Sequence, residues 1–246
     1  MHFSSESLSQ RENSSPPSLL TIPREEWQKE DWHWQMSHRL TSLKELLSIF
    51  PDLPVTEELV AVEKRYPFAI TPYYLSLMQQ ADPSDPVFHM AIPQLAENDD
   101  SSSLFRDPLG EENHSPVPGL IHRYPDRAVL LLNGFCPVYC RHCTRKRMVG
   151  HSQTMASKQQ LIDCFEYLAQ TPSIKDVILS GGEPLTLSDQ RIEFILQSLR
   201  AISSIEVIRI GTRSPVVMPM RITESLCQIL SNHHPVWIVT HFNHPN

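Results

Sequence analysis

The sequence predicts an α/β protein, a partial barrel of about four parallel strands preceded by an N-terminal helical extension. Four short apolar or β-branched runs predict the strands, at 128–132, 177–179, 207–210 and 236–239. Helical patterns lie between them, and this alternation is typical of right-handed βαβ units. Each run is too short for a helix and shows no clear alternation of apolar and polar positions, so we expect strands buried on both faces.

Three amphipathic helices are expected in the same region. Ser157 and Gln160 form a capping-box pattern at the start of the first helix. Cys164 and Cys227 fall on or beside the apolar faces of the first and third helices, and we expect both thiols to be buried. The apolar residues that recur at helical spacing are Leu161, Phe165 and Leu168, then Ile192, Ile195, Leu196 and Leu199, then Ile222, Leu226, Ile229 and Leu230.

The N-terminal half predicts helices and then an irregular connection, together covering 25–120. A helix is expected over 25–50, because Pro51 and Pro54 would end it, and shorter helices are expected over 57–66 and 73–78. The range 82–118, rich in Asp, Pro, Ser and Asn, predicts the irregular connection. Residues 1–24 are predicted to be a disordered leader, since their first part is rich in Ser, Glu and Pro and has no apolar core. The barrel core is assigned to 121–246.

Composition and charge indicate a soluble, cytoplasmic protein. The 246 residues are 40% hydrophobic and 20% charged, which is ordinary for a globular chain. A net charge of -7 argues against nucleic acid as the main partner. No stretch reaches the roughly 18 apolar residues of a membrane span. Five cysteines, three of them clustered, suit a reducing compartment better than a disulfide framework.

Cys136, Cys140 and Cys143 are separated by three and then two residues, so one loop carries three thiols. This set fits either a [4Fe–4S] cluster with one open iron or a zinc site completed by His122 or His142. Structural zinc ligands usually arrive as two separated pairs, and no second pair is present, which favours the cluster. The basic run 141–147 overlaps this loop and indicates either a solvated face or an anion-binding role.

A polar or glycine motif follows each predicted strand. The cysteine loop follows the first strand, and the motifs after the other three are Gly181-Gly182-Glu183, Gly211-Thr212-Arg213 and 240–244. Active sites of α/β barrels and open α/β sheets are built from these loops, so we expect the four motifs to converge. The glycines would let backbone approach a ligand, and Glu183 could accept hydrogen bonds from an ammonium group. Arg213 and His241 could bind carboxylates or could satisfy only local backbone.

These motifs resemble the radical S-adenosylmethionine (SAM) superfamily, and residues 32–246 resemble the lysine 2,3-aminomutase family. The resemblance implies a partial barrel of radical SAM type with a [4Fe–4S] cluster on the three cysteines, whose open iron chelates SAM. It also implies SAM contacts from Gly181, Gly182, Glu183 and His241. The matching segments are Asp31-Trp-His-Trp-Gln35, Ala69-Ile-Thr-Pro-Tyr-Tyr-Leu-Ser-Leu77, Ser115-Pro-Val-Pro-Gly119, His122-Arg-Tyr-Pro-Asp-Arg127, Tyr139-Cys-Arg-His-Cys-Thr-Arg145, Arg209-Ile-Gly-Thr-Arg213 and Thr240-His-Phe-Asn-His-Pro-Asn246.

The same resemblance implies the second cofactor, pyridoxal 5′-phosphate (PLP), and the substrate. PLP would contact Arg123, Tyr124 and Arg127, and Arg145 would pair with the carboxylate of an amino-acid substrate. The implied reaction uses a 5′-deoxyadenosyl radical to move the amino group of L-lysine from the α- to the β-carbon, giving β-lysine. A lysine aminomutase that serves elongation-factor modification and a glutamate 2,3-aminomutase are alternatives. An electron donor such as flavodoxin or ferredoxin is the expected protein partner.

Two departures from the family pattern qualify this interpretation. Glu183-Pro184 stands where close family members often have an aspartate and no proline, yet many radical SAM enzymes carry Gly-Gly-Glu-Pro, so the SAM role is expected to persist. The sequence ends after the fourth predicted strand, whereas the family barrel has about six and anchors PLP on a lysine in a later glycine-rich segment. None of the six lysines here has that context. We therefore expect a shortened or split aminomutase, which forms a homo-oligomer or is completed by a missing C-terminal part, or a non-catalytic remnant that binds a cluster or metal.

Overall fold

The computed structural model describes residues 22–99, 105–151 and 155–244. Of the predicted leader 1–24, only the last three residues fall within the described part, so that prediction lies almost wholly outside it. The last two residues of the chain also lie outside it. No helix among the described residues is long and apolar enough to cross a membrane.

The N-terminal region folds into five short α-helices. The helix predicted over 25–50 is wrong as a single element, because the chain breaks it twice. A 3-10 turn at Arg24–Glu26 precedes α1, which the Asp31 side chain caps, and Ser42 and Glu45 then form a capping box that starts α2. Between α1 and α2 the backbone of Leu40 pairs with Ile70 instead of continuing the helix. The helices are α1 Trp32–Ser37, α2 Leu43–Ile49, α3 Glu57–Arg65, α4 Pro72–Ser76 and α5 Pro86–Ala91.

The range 82–118, predicted to be irregular, contains α5 and two 3-10 turns. Asp85 caps α5 by accepting hydrogen bonds from the backbone N–H groups of Val87 and Phe88. Pro86 occupies the first helical position, where its missing N–H has no cost. The prediction was wrong here because proline and aspartate were taken as signs of a loop, although together they also start a helix.

A five-stranded sheet in the order β1-β2-β3-β4-β5 forms the second half of the fold. The four strands from β2 onward are parallel, and they confirm the predicted strands and the predicted partial barrel. The additional strand, β1, pairs antiparallel with β2 through a turn at Pro125-Asp126. That turn is the sequence signal that would have predicted a hairpin. The strands are β1 Leu120–Tyr124, β2 Arg127–Leu131, β3 Asp176–Ser180, β4 Val207–Gly211 and β5 Val236–Val239.

Helices α6 Lys158–Gln170, α7 Asp189–Arg200, α8 Ser214–Val217 and α9 Glu224–Asn232 connect or follow the strands. The capping box of Ser157 and Gln160 at the start of α6 is confirmed. Cys164 is buried on α6, as predicted, but Cys227 is exposed. The prediction for Cys227 was wrong because α9 buries Leu226 and Ile229 and turns the intervening thiol to the surface. Ile222 precedes α9 and is not part of its apolar face.

Along β2, β3 and β4 only one face of the sheet is buried, and β5 is largely exposed on both faces, which corrects the expectation of strands buried on both faces. Burial alternates along β3 and β4, so Val177, Leu179, Ile208 and Ile210 pack against the helices. The opposite face is half-exposed, because no helix among the described residues covers it. It is the inner surface of a barrel that does not close.

The core is divided into two hydrophobic clusters. The first lies between the sheet and helices α6, α7 and α9, and the second lies within the helical extension. Val138, from the cysteine loop, and Val217 and Met218, at the end of α8, belong to the second cluster. The fully buried Arg221 also joins the two halves, because its guanidinium donates to Leu185 O and its guanidinium carbon lies 4.7 Å from the centre of the Trp32 ring.

Candidate functional site at the carboxyl ends of the strands

The cysteine loop, residues 132–150, is attached by its backbone to the helical extension. The N–H of Tyr139 donates to Ala69 O at 3.0 Å, and the N–H of Arg141 donates to Met90 O at 2.9 Å. The Arg39 guanidinium donates to Cys136 O. The position of the three cysteines therefore depends on helices that precede them by 46 residues or more in the sequence, counted from Met90 to Cys136.

Arg213, at the end of β4, contacts the middle cysteine directly. Its Nη1 donates to Cys140 Sγ at 2.7 Å, and its Nη2 donates to the hydroxyl of Tyr74 at 3.2 Å. The side chain is buried, and its Nε has no hydrogen-bond partner. The sequence left Arg213 open between carboxylate binding and a backbone role, and its side chain does neither here.

Glu183 connects the end of β3 to the end of β4. Its carboxylate accepts hydrogen bonds from Thr212 Oγ1 at 2.5 Å, Arg213 N at 2.8 Å and Leu185 N at 3.1 Å. Burial raises the pKa of Glu183 above its ordinary value, although these hydrogen bonds work in the opposite direction. Pro184 begins a 3-10 turn that the Glu183 side chain caps. The local backbone structure therefore explains why glutamate is followed by proline at this point.

Gly181 and Gly182 are required by close backbone packing against the start of the cysteine loop. Gly181 has a φ of +111°, and a Cβ there would lie 2.7 Å from Asn133 O. A Cβ on Gly182 would lie 2.2 Å from Phe135 O, a distance that no side chain can occupy. The N–H of Gly182 donates to Asn133 O, and the N–H of Glu183 donates to Phe135 O. The glycine motif thus holds the cysteine loop against β3, a role the sequence did not indicate.

The basic residues of the cysteine loop pair with carboxylates of the helical extension and the connection that follows it. We call Arg141, Arg145, Lys146 and Arg147 the basic run. Arg145 binds Glu111 with 2.6 Å between Nη2 and Oε1, and its Nη1 donates to Ser180 Oγ at 3.2 Å. The other pairs are Arg141 with Glu97 at 2.8 Å, Lys146 with Glu97 at 3.2 Å, and Arg147 with Asp107 at 3.0 Å. These charges are therefore balanced within the protein.

His241, after β5, lies beside the cysteine loop. Its ring centre is 5.8 Å from that of His142, and its Nδ1 lies 2.7 Å from Asn243 Oδ1. Burial lowers the pKa of His142, and the nearby Arg213 and His241 lower it further. The fourth motif is thus brought to the same edge of the sheet as the first, as the sequence predicted.

Arg123, Tyr124 and Arg127 lie at the opposite end of the sheet. They surround the turn of the β1–β2 hairpin, about 13 Å from the carboxyl end of β2 at roughly 3.3 Å per residue. The guanidinium carbons of both arginines lie over the Tyr124 ring, 5.7 and 5.8 Å from its centre. Arg127 also binds Asp126. The described chain does not bring these three residues to the cysteine loop.

The described chain does not place the three cysteines as the ligands of a single metal ion. Among the described residues, no group of three or more His, Cys, Asp or Glu side chains is placed to hold one metal ion. A cluster presents its irons at separate corners, so its thiolates need not meet at one point. His122, proposed above as a zinc ligand, instead lies 2.9 Å from the Tyr167 hydroxyl on the helix-bearing side of the hairpin. The buried Arg213 facing Cys140 supplies the positive charge that an anionic cluster would meet.

Burial raises the pKa of the Cys136 thiol well above its ordinary value and also raises that of Cys143. Both thiols are therefore protonated at neutral pH in the metal-free protein. Binding of iron at these sulfurs would release those protons. Neither Cys136 nor Cys143 is therefore a free nucleophilic thiolate in the metal-free protein.

A cavity of about 1060 Å³ in the described chain is separate from the strand-end site. It lies between the cysteine loop and the connection after α5, and its walls include Tyr66, His89, Glu97 and Cys143. None of Gly181, Gly182, Glu183 or Arg213 lines it. It adjoins the outer side of the loop, whereas the four motifs converge on the inner side.

The sequence did not indicate several residues that hold the site together. Tyr74 and Glu111 contact Arg213 and Arg145, and Asn133 donates to Glu183 O at 2.9 Å. Glu111 could have been found from charge patterning, because the acidic positions at 107, 111 and 112 precede a basic run of similar size. Tyr74 and Asn133 carry no signal beyond their residue type.

Comparison with known proteins agrees with this arrangement. Residues 130–246 match the radical SAM superfamily. The L-lysine 2,3-aminomutase of Clostridium subterminale is 47% identical over 217 residues, which are 88% of this chain and 52% of that protein. The corresponding enzyme of Bacillus subtilis is 45% identical over 223 residues, 90% of this chain and 47% of that protein. The glutamate 2,3-aminomutase of Clostridioides difficile is 38% identical over 229 residues, 93% of this chain and 54% of that protein.

The chain spans about half the length of these relatives. The match to the superfamily begins within β2 and includes the cysteine loop and all three later motifs, while the similarity to the aminomutases extends into the helical extension. Both parts of the resemblance seen in the sequence are thereby confirmed. The chain belongs to the radical SAM superfamily and, over most of its length, is similar to L-lysine 2,3-aminomutases.

Proposed function

We propose that this chain provides the cluster- and SAM-binding part of an amino-acid 2,3-aminomutase that acts on L-lysine. The observation that carries the proposal is the meeting of four motifs at one edge of the sheet, with Arg213 on the Cys140 sulfur and Glu183 joining β3 to β4. Identity of 45–47% to four L-lysine 2,3-aminomutases, against 38% to a glutamate 2,3-aminomutase, supports lysine as the substrate, while a further lysine enzyme is 36% identical.

The three cysteines would hold the [4Fe–4S] cluster, and Gly181, Gly182, Glu183 and His241 would surround SAM. When bound, the cluster supplies the electron that cleaves SAM, and PLP supplies a carbonyl to hold the substrate amino group. The chain's own residues would hold the cysteine loop in place and neutralise negative charge through Arg213.

Arg145 is proposed to pair with the substrate carboxylate. Its guanidinium carries the fork of donors that suits a carboxylate, and it already binds one, that of Glu111. A substrate carboxylate would therefore have to share Arg145 with Glu111 or displace it. For PLP we propose Arg123, Tyr124 and Arg127, since two cations beside an aromatic ring suit a phosphate and a pyridine ring. These three residues lie at the opposite end of the sheet from Arg145, so this part of the proposal rests on the family resemblance and not on the geometry of the site.

The test is anaerobic reconstitution of the chain with iron and sulfide. We expect about four irons per chain, visible iron–sulfur absorbance and SAM binding that requires the cluster. Cys140→Ala should abolish all three. Cys227→Ala, which removes an exposed thiol on α9, is the matched control and should abolish none of them.

Two outcomes would contradict the proposal. One is stoichiometric zinc without iron–sulfur absorbance, and the other is equal loss of iron in the Cys140 and Cys227 variants. The substrate is tested by reducing the reconstituted chain with SAM, PLP and either amino acid and measuring 5′-deoxyadenosine. L-lysine should stimulate its formation more than L-glutamate does, and the reverse order would assign the chain to glutamate.

A further inference from the structure

Arg213 is a buried cation whose guanidinium has no carboxylate partner in the described chain. Its side chain is 7% exposed, and its contacts are the Cys140 sulfur at 2.7 Å and the Tyr74 hydroxyl at 3.2 Å. The Nε–H is buried and makes no hydrogen bond. Its backbone N–H binds the Glu183 carboxylate, but the side chain points away to the cysteine loop.

Three arginines of the described chain are buried, Arg141, Arg213 and Arg221. Arg141 binds the carboxylate of Glu97, and Arg221 binds that of Asp189. Arg213 is the exception among the three. Because Arg213 lies beside the predicted cluster, we look for its role there.

A buried charge without a counter-charge is costly, so a fold retains one where a ligand completes it. A cluster bound by three thiolates is anionic, and its negative charge increases by one when it is reduced. Hydrogen bonds to the ligating sulfurs and nearby positive charge are known means of setting the potential of such clusters. Arg213 supplies both at a single sulfur.

The side chain is also held in a fixed position. Glu183 fixes its backbone at 2.8 Å, and Tyr74, on α4, holds its Nη2. A guanidinium is not deprotonated in proteins, so Arg213 stays charged although it is buried. A guanidinium held from two sides can direct one donor at a sulfur without rearranging.

We propose that Arg213 is a positioning residue of the cluster: its guanidinium holds the Cys140 sulfur and supplies the positive charge that stabilises the reduced cluster. This inference rests on the proposed function, since it needs a cluster on Cys136, Cys140 and Cys143. It goes beyond that function because a residue that binds neither iron nor substrate would help to set the reduction potential of the cluster. Tyr74, in the helical extension, would affect the same potential through its contact with Arg213.

The test is a reductive titration of the reconstituted cluster, followed by electron paramagnetic resonance, in the wild type and three variants. Arg213→Gln removes the charge, and its cluster should have a more negative reduction potential. Arg213→Lys keeps the charge but loses the planar fork, so its potential should lie closer to the wild type while its iron is lost faster to a chelator. Tyr74→Phe should shift the potential less than Arg213→Gln, in the same direction.

Arg209→Gln is the matched control, because it removes an arginine from β4 that is paired with Asp176. Its potential should match the wild type. Equal potentials in Arg213→Gln and Arg209→Gln, with clusters present in both, would overturn the inference and leave the proposed function intact. Absence of a cluster from the wild type would overturn both. If Arg213→Gln does not fold, the Arg213→Lys and Tyr74→Phe results decide, and wild-type potential with wild-type iron retention in both would refute the role.

Discussion

Buried charged side chains have different kinds of partner on the two sides of the cysteine loop. On the outer side, the basic run pairs with carboxylates of the helical extension and the connection, at distances of 2.6 to 3.2 Å. On the inner side, at the strand ends, Glu183 and Arg213 are both buried, yet the Arg213 guanidinium binds a sulfur and Glu183 binds hydroxyl and backbone donors.

The pKa values of two glutamates reflect this difference. Burial would raise the pKa of Glu97, but the hydrogen bonds and charge of Arg141, with the Gln94 N–H and Lys146, bring it below its ordinary value. Burial raises the pKa of Glu183, and its neutral donors do not reverse the shift. The buried charges of the outer side are therefore neutralised by ion pairs within the protein. On the inner side, the Arg213 guanidinium has no carboxylate partner in the described chain, and an anionic ligand would neutralise it.

Glu97→Gln should have the largest effect on stability. The change leaves Arg141 and Lys146 without their carboxylate in a site where the Arg141 and Glu97 side chains are 6% and 9% exposed. Breaking a buried pair costs about 3–5 kcal/mol, to be measured as the free energy of unfolding in urea. Glu206→Gln, which breaks the exposed pair with Lys175, is the control and should cost about 0–1 kcal/mol. Equal costs would mean that the outer side is no more than a solvated surface.

The pH dependence of the Glu97 effect has a definite sign. A carboxyl whose pKa is lowered by folding contributes stability above its unfolded pKa of about 4.3 and loses it as the pH falls through the lower folded value. The difference between wild type and Glu97→Gln should therefore be constant near neutral pH and shrink below about pH 4.3. A difference that grows on acidification would contradict the assignment of Glu97 to a balanced pair.

Gly182→Ala should have an intermediate effect, because it tests the shape of the inner side without changing any charge. The new methyl group would meet Phe135 O at 2.2 Å, so the cysteine loop must move away from β3, at a cost of about 1–3 kcal/mol. Gly211→Ala is the matched control after β4, where the new methyl group lies 3.7 Å from Leu179 O. Urea unfolding and iron content after reconstitution should both separate the two variants. Equal stability and iron content would show that the glycine pair does not position the loop.

Glu183→Gln should have the smallest effect, about 1 kcal/mol. The new NH2 group must face the backbone N–H of either Leu185 or Arg213, which loses one hydrogen bond even if the Thr212 hydroxyl reverses. Part of this cost is offset, because the charge that is removed is one whose burial is unfavourable. Because folding raises the pKa of Glu183, the wild type should gain stability relative to this variant as the pH falls through that pKa, the opposite of Glu97. Urea titrations of both variants over the same pH range provide the measurement, and parallel trends would remove the distinction between the two sides.

Much of this arrangement could be predicted from the sequence, because strand ends and motifs are local signals. The four parallel strands, the capping box before α6 and the convergence of Cys140, Glu183, Arg213 and His241 at one edge follow from apolar runs and from the rule that active sites lie after parallel strands. The glycine pair was found by the same rule, although its structural role is packing against Asn133 and Phe135.

The rest depends on contacts between distant segments. Pairing of Arg141 with Glu97 and of Arg145 with Glu111 joins positions 34 to 44 residues apart. Charge patterning indicates that an acidic and a basic segment meet, but it does not specify which residues pair. The break between α1 and α2 follows from backbone pairing of Leu40 with Ile70. The exposure of Cys227 depends on which side of α9 meets the sheet. Helical spacing predicts the buried side of a helix only to within one residue.

Anchoring of the cysteine loop to the helical extension makes ligand binding and folding thermodynamically linked. The backbone hydrogen bonds from Tyr139 to Ala69 and from Arg141 to Met90 cannot persist if the extension opens, so opening of the extension also releases the cysteines. Any ligand that binds only the closed loop must then stabilise α4 and α5 by its own binding free energy. The stability of helices that contain no cysteine would therefore depend on whether a ligand occupies the cysteine loop.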